Sequence, residues 1–260
     1  MEIGYAIFLS INSSLNLIIL YHYGISGVIM SNIVNYKTIR KIRSDCYMAD
    51  ISKERKIEIE QIVSDILKPY QISILSPTID IVSIVKKDEF LVQSADLPIE
   101  TTGYLAVNDK EPVDDNNEFH RLIVVNNKFR NPDNEDNVVL KKSRFITAHE
   151  YGHFKLHKAP DESLYAHRDR DKRDSLQELE ADYFARSILM PKDDFLLRNT
   201  VIDSAFKNIL SRDGHLHKGA AEMAKLELLS RYYKVTRNKV SKRLEDIDIL
   251  SSMEELNDER

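Results

Sequence analysis

The stretch "RFITAHEYGHFKLH", residues 144–157, decides how the rest of the chain is read. It contains the pattern HExxH at residues 149–153. On a helix, His149 and His153 lie one turn apart on one face, so both imidazoles can reach a single ion. Glu150 is turned from His149 by roughly 100°, which sets it beside such an ion rather than on it. From there it can take a proton from a water that the ion activates, which is the chemistry of a zinc peptidase. Gly152 leaves room for another element to approach, and Thr147 and Ala148 keep the helix slim. Two solvated surface histidines are the bland alternative. Phe145, Ile146 and Phe154 flank the motif, however, and predict a largely buried helix, where imidazoles need partners.

A catalytic zinc site needs a third protein ligand and one open position. Downstream, "ELEAD" at residues 178–182 sits in the strongly helical run "LQELEADYFARSILMP". Glu178 and Asp182 are four residues apart and share a face. Glu178 can therefore ligate while Asp182 accepts the free N–H of a ligand histidine. Glu180 is the competing third ligand, although it points about 200° from Glu178. His157, one turn beyond His153, is a further candidate. Three histidines along one straight helix close a tetrahedral site poorly, so it is read as structural. The single cysteine, Cys46, can form neither an intrachain disulfide nor a thiolate site, which fits a cytoplasmic chain and leaves nitrogen and oxygen as donors.

The 260 residues, 42% hydrophobic and 30% charged, describe an ordinary globular protein with one large domain or two small ones. A net charge of −5 gives no general reason to expect nucleic-acid binding. Residues 1–30 differ from the rest: they are apolar, contain Glu2 and lack Lys and Arg. A signal peptide needs a basic start, and a spanning helix would not be broken by Ser10, Asn12, Ser13, Ser14 and Asn16. They are read as a dispensable leader ahead of Met30, with a membrane anchor as second choice.

Residues 52–68 predict a helix with Ser52 as cap, an apolar face of Ile59, Ile62, Val63 and Ile66, and Pro69 at its stop. Residues 71–127 predict strands at "ISIL", "IDIVSIV", "FLVQ", "TTGYLAV" and "RLIVVN", separated by polar turns. Helical periodicity returns at Lys142, and residues 159–175 read as an exposed charged loop. The expected fold is α+β, a zincin-like core of active-site helices and a small antiparallel sheet. The expected divisions are 1–30, 31–200 and 201–260. In the last, residues 226–250 read as two helices joined at "KVTR", shaped like a helix-turn-helix. Leu228, Leu229, Val235, Val240 and Leu244 fall at its packing positions, and Lys234, Arg237, Lys239, Lys242 and Arg243 make its second helix basic.

"RFITAHEYGHFKLH" followed by "ELEADYFARSILMP" resembles the two motifs of the ImmA/IrrE family of metallo-endopeptidases, and "TTGYLAVND" and "RLIVVNN" resemble the strands that lead into its active-site helix. The resemblance spans roughly residues 55–250. It implies one Zn2+ held by His149, His153 and Glu178, with Glu150 as general base. Asp182 stands where the family more often has Asn, and either side chain can accept an imidazole proton. The resemblance further implies a protein substrate, a helix-turn-helix repressor cut to relieve repression. The rival expectation is a non-catalytic regulator with a structural metal, binding DNA or a partner through the C-terminal helices.

Overall fold

In a computed structural model of the chain, residues 6–10, 16–20, 50–70, 78–107, 121–129, 138–157, 164–166, 175–212 and 218–258 are described. The expected strand at 72–75, His120, His167, His215 and His217 lie outside them. Met1–Ala49 and Asp50–Arg260 form separate units. In the first, β1 (Ala6–Ser10) pairs antiparallel with β2 (Asn16–Leu20), with Ala6 opposite Leu20. No described helix is long and apolar enough to cross a membrane.

The second unit begins with α1 (Lys53–Leu67). The Ser52 side chain accepts from the Arg55 N–H at 3.2 Å, and Ile59, Val63 and Leu67 repeat every fourth residue to form the buried stripe. The run "IDIVSIV" is not a strand. Residues Ile81–Lys87 form helix α2, capped by Asp80, whose carboxylate accepts from the Ser83 N–H at 3.1 Å. Ile81, Ile84 and Val85 are buried at helical spacing. The β-branched content pointed to strand, but the cap and the i, i+3, i+4 pattern prevail. Glu89, at φ 63°, then turns the chain out of the helix into β3 (Phe90–Ala95).

The sheet is mixed rather than wholly antiparallel, in the order β3–β5–β4–β6. β5 (Arg121–Asn126) runs parallel to β3 and antiparallel to β4 (Gly103–Val107). The connection from β3 to β4 is therefore wide enough for β5 to lie between them. Asn126 fastens it by donating through its side-chain amide to the carbonyls of Leu97, Pro98 and Thr101 at 3.1, 3.3 and 2.8 Å. The segment read as a charged loop supplies the last strand, β6 (Leu164–Ala166), antiparallel to β4.

Two helices carry the motifs, α3 (Val138–Leu156) and α4 (Ser175–Leu189). α5 (Lys192–Arg212) follows directly on Pro191 and runs through residue 200, where the sequence suggested a boundary. α6 (Lys218–Tyr233) and α7 (Arg237–Asp258) complete the unit, with Leu229, Val235 and Val240 fully buried at the expected helix-turn-helix contacts.

Candidate metal centre

α3 and α4 approach closely because of Gly152. A Cβ placed there would lie 3.0 Å from Phe184 and 3.3 Å from the Ala181 backbone, so a larger residue would force the helices apart. Ala148, Ala181 and Ala185 are buried as well, and small residues of this kind let the backbones meet. The close approach brings Glu178 over the HExxH face.

His149 Nε2 and His153 Nε2 are 3.1 Å apart. Glu178 completes a triangle, with Oε2 3.4 Å from His149 Nε2 and Oε1 3.2 Å from His153 Nε2. A tetrahedral ion with bonds of about 2.0–2.1 Å has donor–donor edges of about 3.3–3.4 Å. Each separation is close to such an edge, with a different Glu178 oxygen facing each imidazole, and two imidazoles with one carboxylate form a donor set that zinc accepts. The Glu178 side chain is 33% exposed while the histidines are 14% and 13% exposed, so the triangle opens to solvent on its carboxylate side.

Glu150 is 3% exposed and faces β4. A Cβ on Gly103 would lie 3.5 Å from Glu150 Oε1, 2.6 Å from Ile146 and 2.8 Å from the Val124 carbonyl. Gly103 therefore allows the strand to rest directly on the helix beside the Glu150 carboxylate.

Behind the triangle, each histidine has its own support. His149 Nδ1 is 3.1 Å from Asp182 Oδ1, and Lys239 Nζ from α7 donates to Asp182 Oδ2 at 3.0 Å. His153 Nδ1 is 3.1 Å from His157 Nδ1, His157 Nε2 is 3.2 Å from Glu180 Oε2, and Arg55 from α1 donates to that same oxygen at 2.8 Å. With both Nε2 atoms turned to the ion position, the Nδ1 atoms carry the protons. His149 then donates to Asp182, and His153 donates to a neutral His157 that in turn donates to Glu180. Burial opposes charge on His149, but the Asp182 and Glu178 carboxylates outweigh it and lift its pKa to about 9. These surroundings favour a cation at this position. Burial would raise Asp182 too, yet His149 and Lys239 hold it well below the usual carboxylate range.

The structure thus brings His149, His153, Glu178 and Glu150 together, and places Asp182 where the sequence expected it. Glu180, the competitor for third ligand, is turned to Arg55 and His157. Tyr151 packs among Phe90, Phe154 and Phe184 and donates its hydroxyl to Asp88 at 2.6 Å. Arg144 Nε and Nη2 are buried and make no hydrogen bond, and burial lowers the pKa of this guanidinium to about 10 despite Asp80 nearby. Sequence reasoning missed Arg55 altogether, and it counted Lys239 and Arg243 toward a basic surface. Both point inward: Arg243 is 0% exposed and bonded to Glu60, Ser187 and the Met190 carbonyl.

Residues 105–245 match the profile of the M78 peptidases, described as the IrrE N-terminal-like domain. No curated protein matches the chain.

Proposed function

The chain belongs to the M78 peptidase family of IrrE N-terminal-like domains, a metallopeptidase family acting on protein, and on that premise we propose a zinc-dependent endopeptidase that cuts a regulatory protein. One observation carries the reading: donor atoms of His149, His153 and Glu178 lie within 4.8 Å of one another, and the buried Glu150 carboxylate is near enough for its charge to act on His149. Zinc held by these three would polarise a peptide carbonyl and bring the pKa of a bound water to about 7. Glu150 takes the proton of the attacking water on a carboxylate oxygen and returns it to the departing amine. Asp182 and His157 hold the two imidazoles in the tautomer that offers Nε2. Gly103 keeps β4 against the helix so that Glu150 is shielded on one side.

The substrate proposed is a helix-turn-helix repressor, and the setting proposed is the cytoplasm. The domain division at residues 31–200 and 201–260 is likewise proposed, with the C-terminal helices closing off the peptidase core. The rival, a DNA-reading role for α7, has less basic surface to draw on than the sequence suggested, because only Arg237 and Lys242 of the helix's four cations are exposed.

The test is cleavage by the zinc-loaded chain of an unstructured peptide library and a panel of helix-turn-helix repressors, read as new termini by mass spectrometry. Glu150→Gln is expected to keep one zinc per chain and to cut about 10²–10⁴-fold more slowly. Equal cleavage by Glu150→Gln would remove the mechanism. No cleavage of any repressor alongside efficient cleavage of other peptides would remove only the substrate assignment.

A further inference from the structure

Asp182 is positioned by a residue 57 places further along the chain. We propose that Lys239, on α7, is a positioning residue for the metal centre, fixing the Asp182 carboxylate so that Oδ1 takes the His149 proton; this rests on the zinc-peptidase reading above. Lys239 Nζ lies 3.0 Å from Asp182 Oδ2 and 3.6 Å from the centroid of the Phe145 ring, one turn before His149 on α3. The ammonium therefore touches both helices that build the site. A cation over a ring face and against a carboxylate is held from two sides.

No other described cation does this. Arg186 Nη1 is 3.9 Å from Asp182 Oδ2, but its guanidinium is committed to Asp246, with Nε at 2.6 Å and Nη2 at 3.4 Å. Without Lys239, Arg186 at 3.9 Å is the Lys or Arg left beside Asp182 Oδ2 among the described residues, and the carboxylate is free to rotate off His149. The pair is half-buried, with 22% and 28% of the Lys239 and Asp182 side chains exposed, and burial pulls the Lys239 pKa down while Asp182 pulls it back. The second helix of the helix-turn-helix shape thus acts as part of the peptidase centre. Its inward-facing lysine makes zinc affinity depend on how α7 is seated.

The experiment measures zinc affinity of the full chain, by competition with a chromogenic chelator, for wild type, Lys239→Met, Asp182→Asn, the double variant and Glu178→Ala. Cobalt(II) spectra and metal-free melting temperatures are recorded alongside. Lys239→Met is expected to bind zinc about 10-fold more weakly than wild type and to shift the cobalt bands as Asp182→Asn does. Adding Lys239→Met to Asp182→Asn is expected to change affinity by less than about 2-fold, since residues acting through one another are not additive. The proposal is overturned if Lys239→Met binds zinc like wild type, or if its loss is as large in the Asp182→Asn background as alone. If Lys239→Met does not fold, Lys239→Gln takes its place in the same cycle with the same thresholds. A wild-type chain that holds no zinc, or Glu178→Ala binding as tightly as wild type, overturns the zinc-site reading itself. An additive cycle beside an intact Glu178 dependence overturns only the role of Lys239.

Discussion

The two histidines of the centre are supported from opposite ends of the chain and by different chemistry. His149 meets a carboxylate directly, Asp182, which is held by Lys239 of α7. His153 meets a neutral imidazole, His157, and the carboxylate, Glu180, comes only after it, held by Arg55 of α1. A carboxylate in contact raises the basicity of the imidazole it faces, whereas an imidazole in contact mainly fixes orientation. The arms are joined behind the site. Arg243 on α7 donates to Glu60 on α1, and Tyr183 and Ser187 of α4 donate to the same carboxylate at 2.9 and 2.7 Å. On the proposed zinc reading, one arm tunes a ligand and the other aims one, while a shared ion pair keeps their supporting helices in register.

Breaking the shared element should have the largest effect. Arg243→Met leaves Glu60 buried without its counter-charge and is expected to cost about 3–5 kcal/mol of stability, measured by urea unfolding. Both arms should loosen together. Burial alone would raise Glu60, but Arg243 outweighs it and holds the carboxyl below its usual range. A depressed folded pKa means that this stability is complete above the unfolded carboxyl's pKa of about 4.3. It is lost as the pH falls from there through the folded value. In Glu60→Gln the acid limb of the stability curve should flatten, and an unchanged limb would show that Glu60 is not ionised in the fold.

Much of this was legible in the sequence, and the exceptions share a cause. HExxH spacing, the turn of about 200° that separates Glu178 from Glu180 and the closeness permitted by Gly152 are local properties of helices, readable within a few residues. The strand assigned to "IDIVSIV" failed because β-branched content outweighed the Asp80 cap in the reading. The parallel pairing of β3 with β5 depends on where the chain returns, which no short window contains. Arg55 and Glu180 are 125 residues apart, and Lys239 looked like one more cation of a basic helix. Which charges face inward is decided by packing between distant elements, so the supports of the site were hidden while its donors were not.

The arms themselves can then be set against each other by zinc affinity. Asp182→Ala removes the carboxylate that touches a ligand and should weaken zinc toward about 100-fold, the upper end for partners of metal-binding histidines. His157→Phe keeps the bulk but removes the acceptor for His153 Nδ1, and about 10-fold is expected. Equal losses would mean that charge is not what distinguishes the arms. A larger loss for His157→Phe would reverse the assignment of which arm tunes and which aims.

Arg55→Met tests how far along an arm the effect reaches. Arg55 stands two groups back from His153, whereas Lys239 stands only one group back from His149. Arg55 also divides its guanidinium, donating to the Leu156 carbonyl at 3.5 Å and pairing with Glu58 at 2.8 Å. Removing it leaves Glu180 still accepting from His157, so the aim of His153 is softened rather than lost. The expected change in zinc affinity is below about 10-fold, less than any loss for a group in contact with a ligand. A loss in Arg55→Met matching that of Asp182→Ala would show that Glu180 needs its cation to hold His157 at all. The two arms would then be equivalent, each as strong as the charge at its far end.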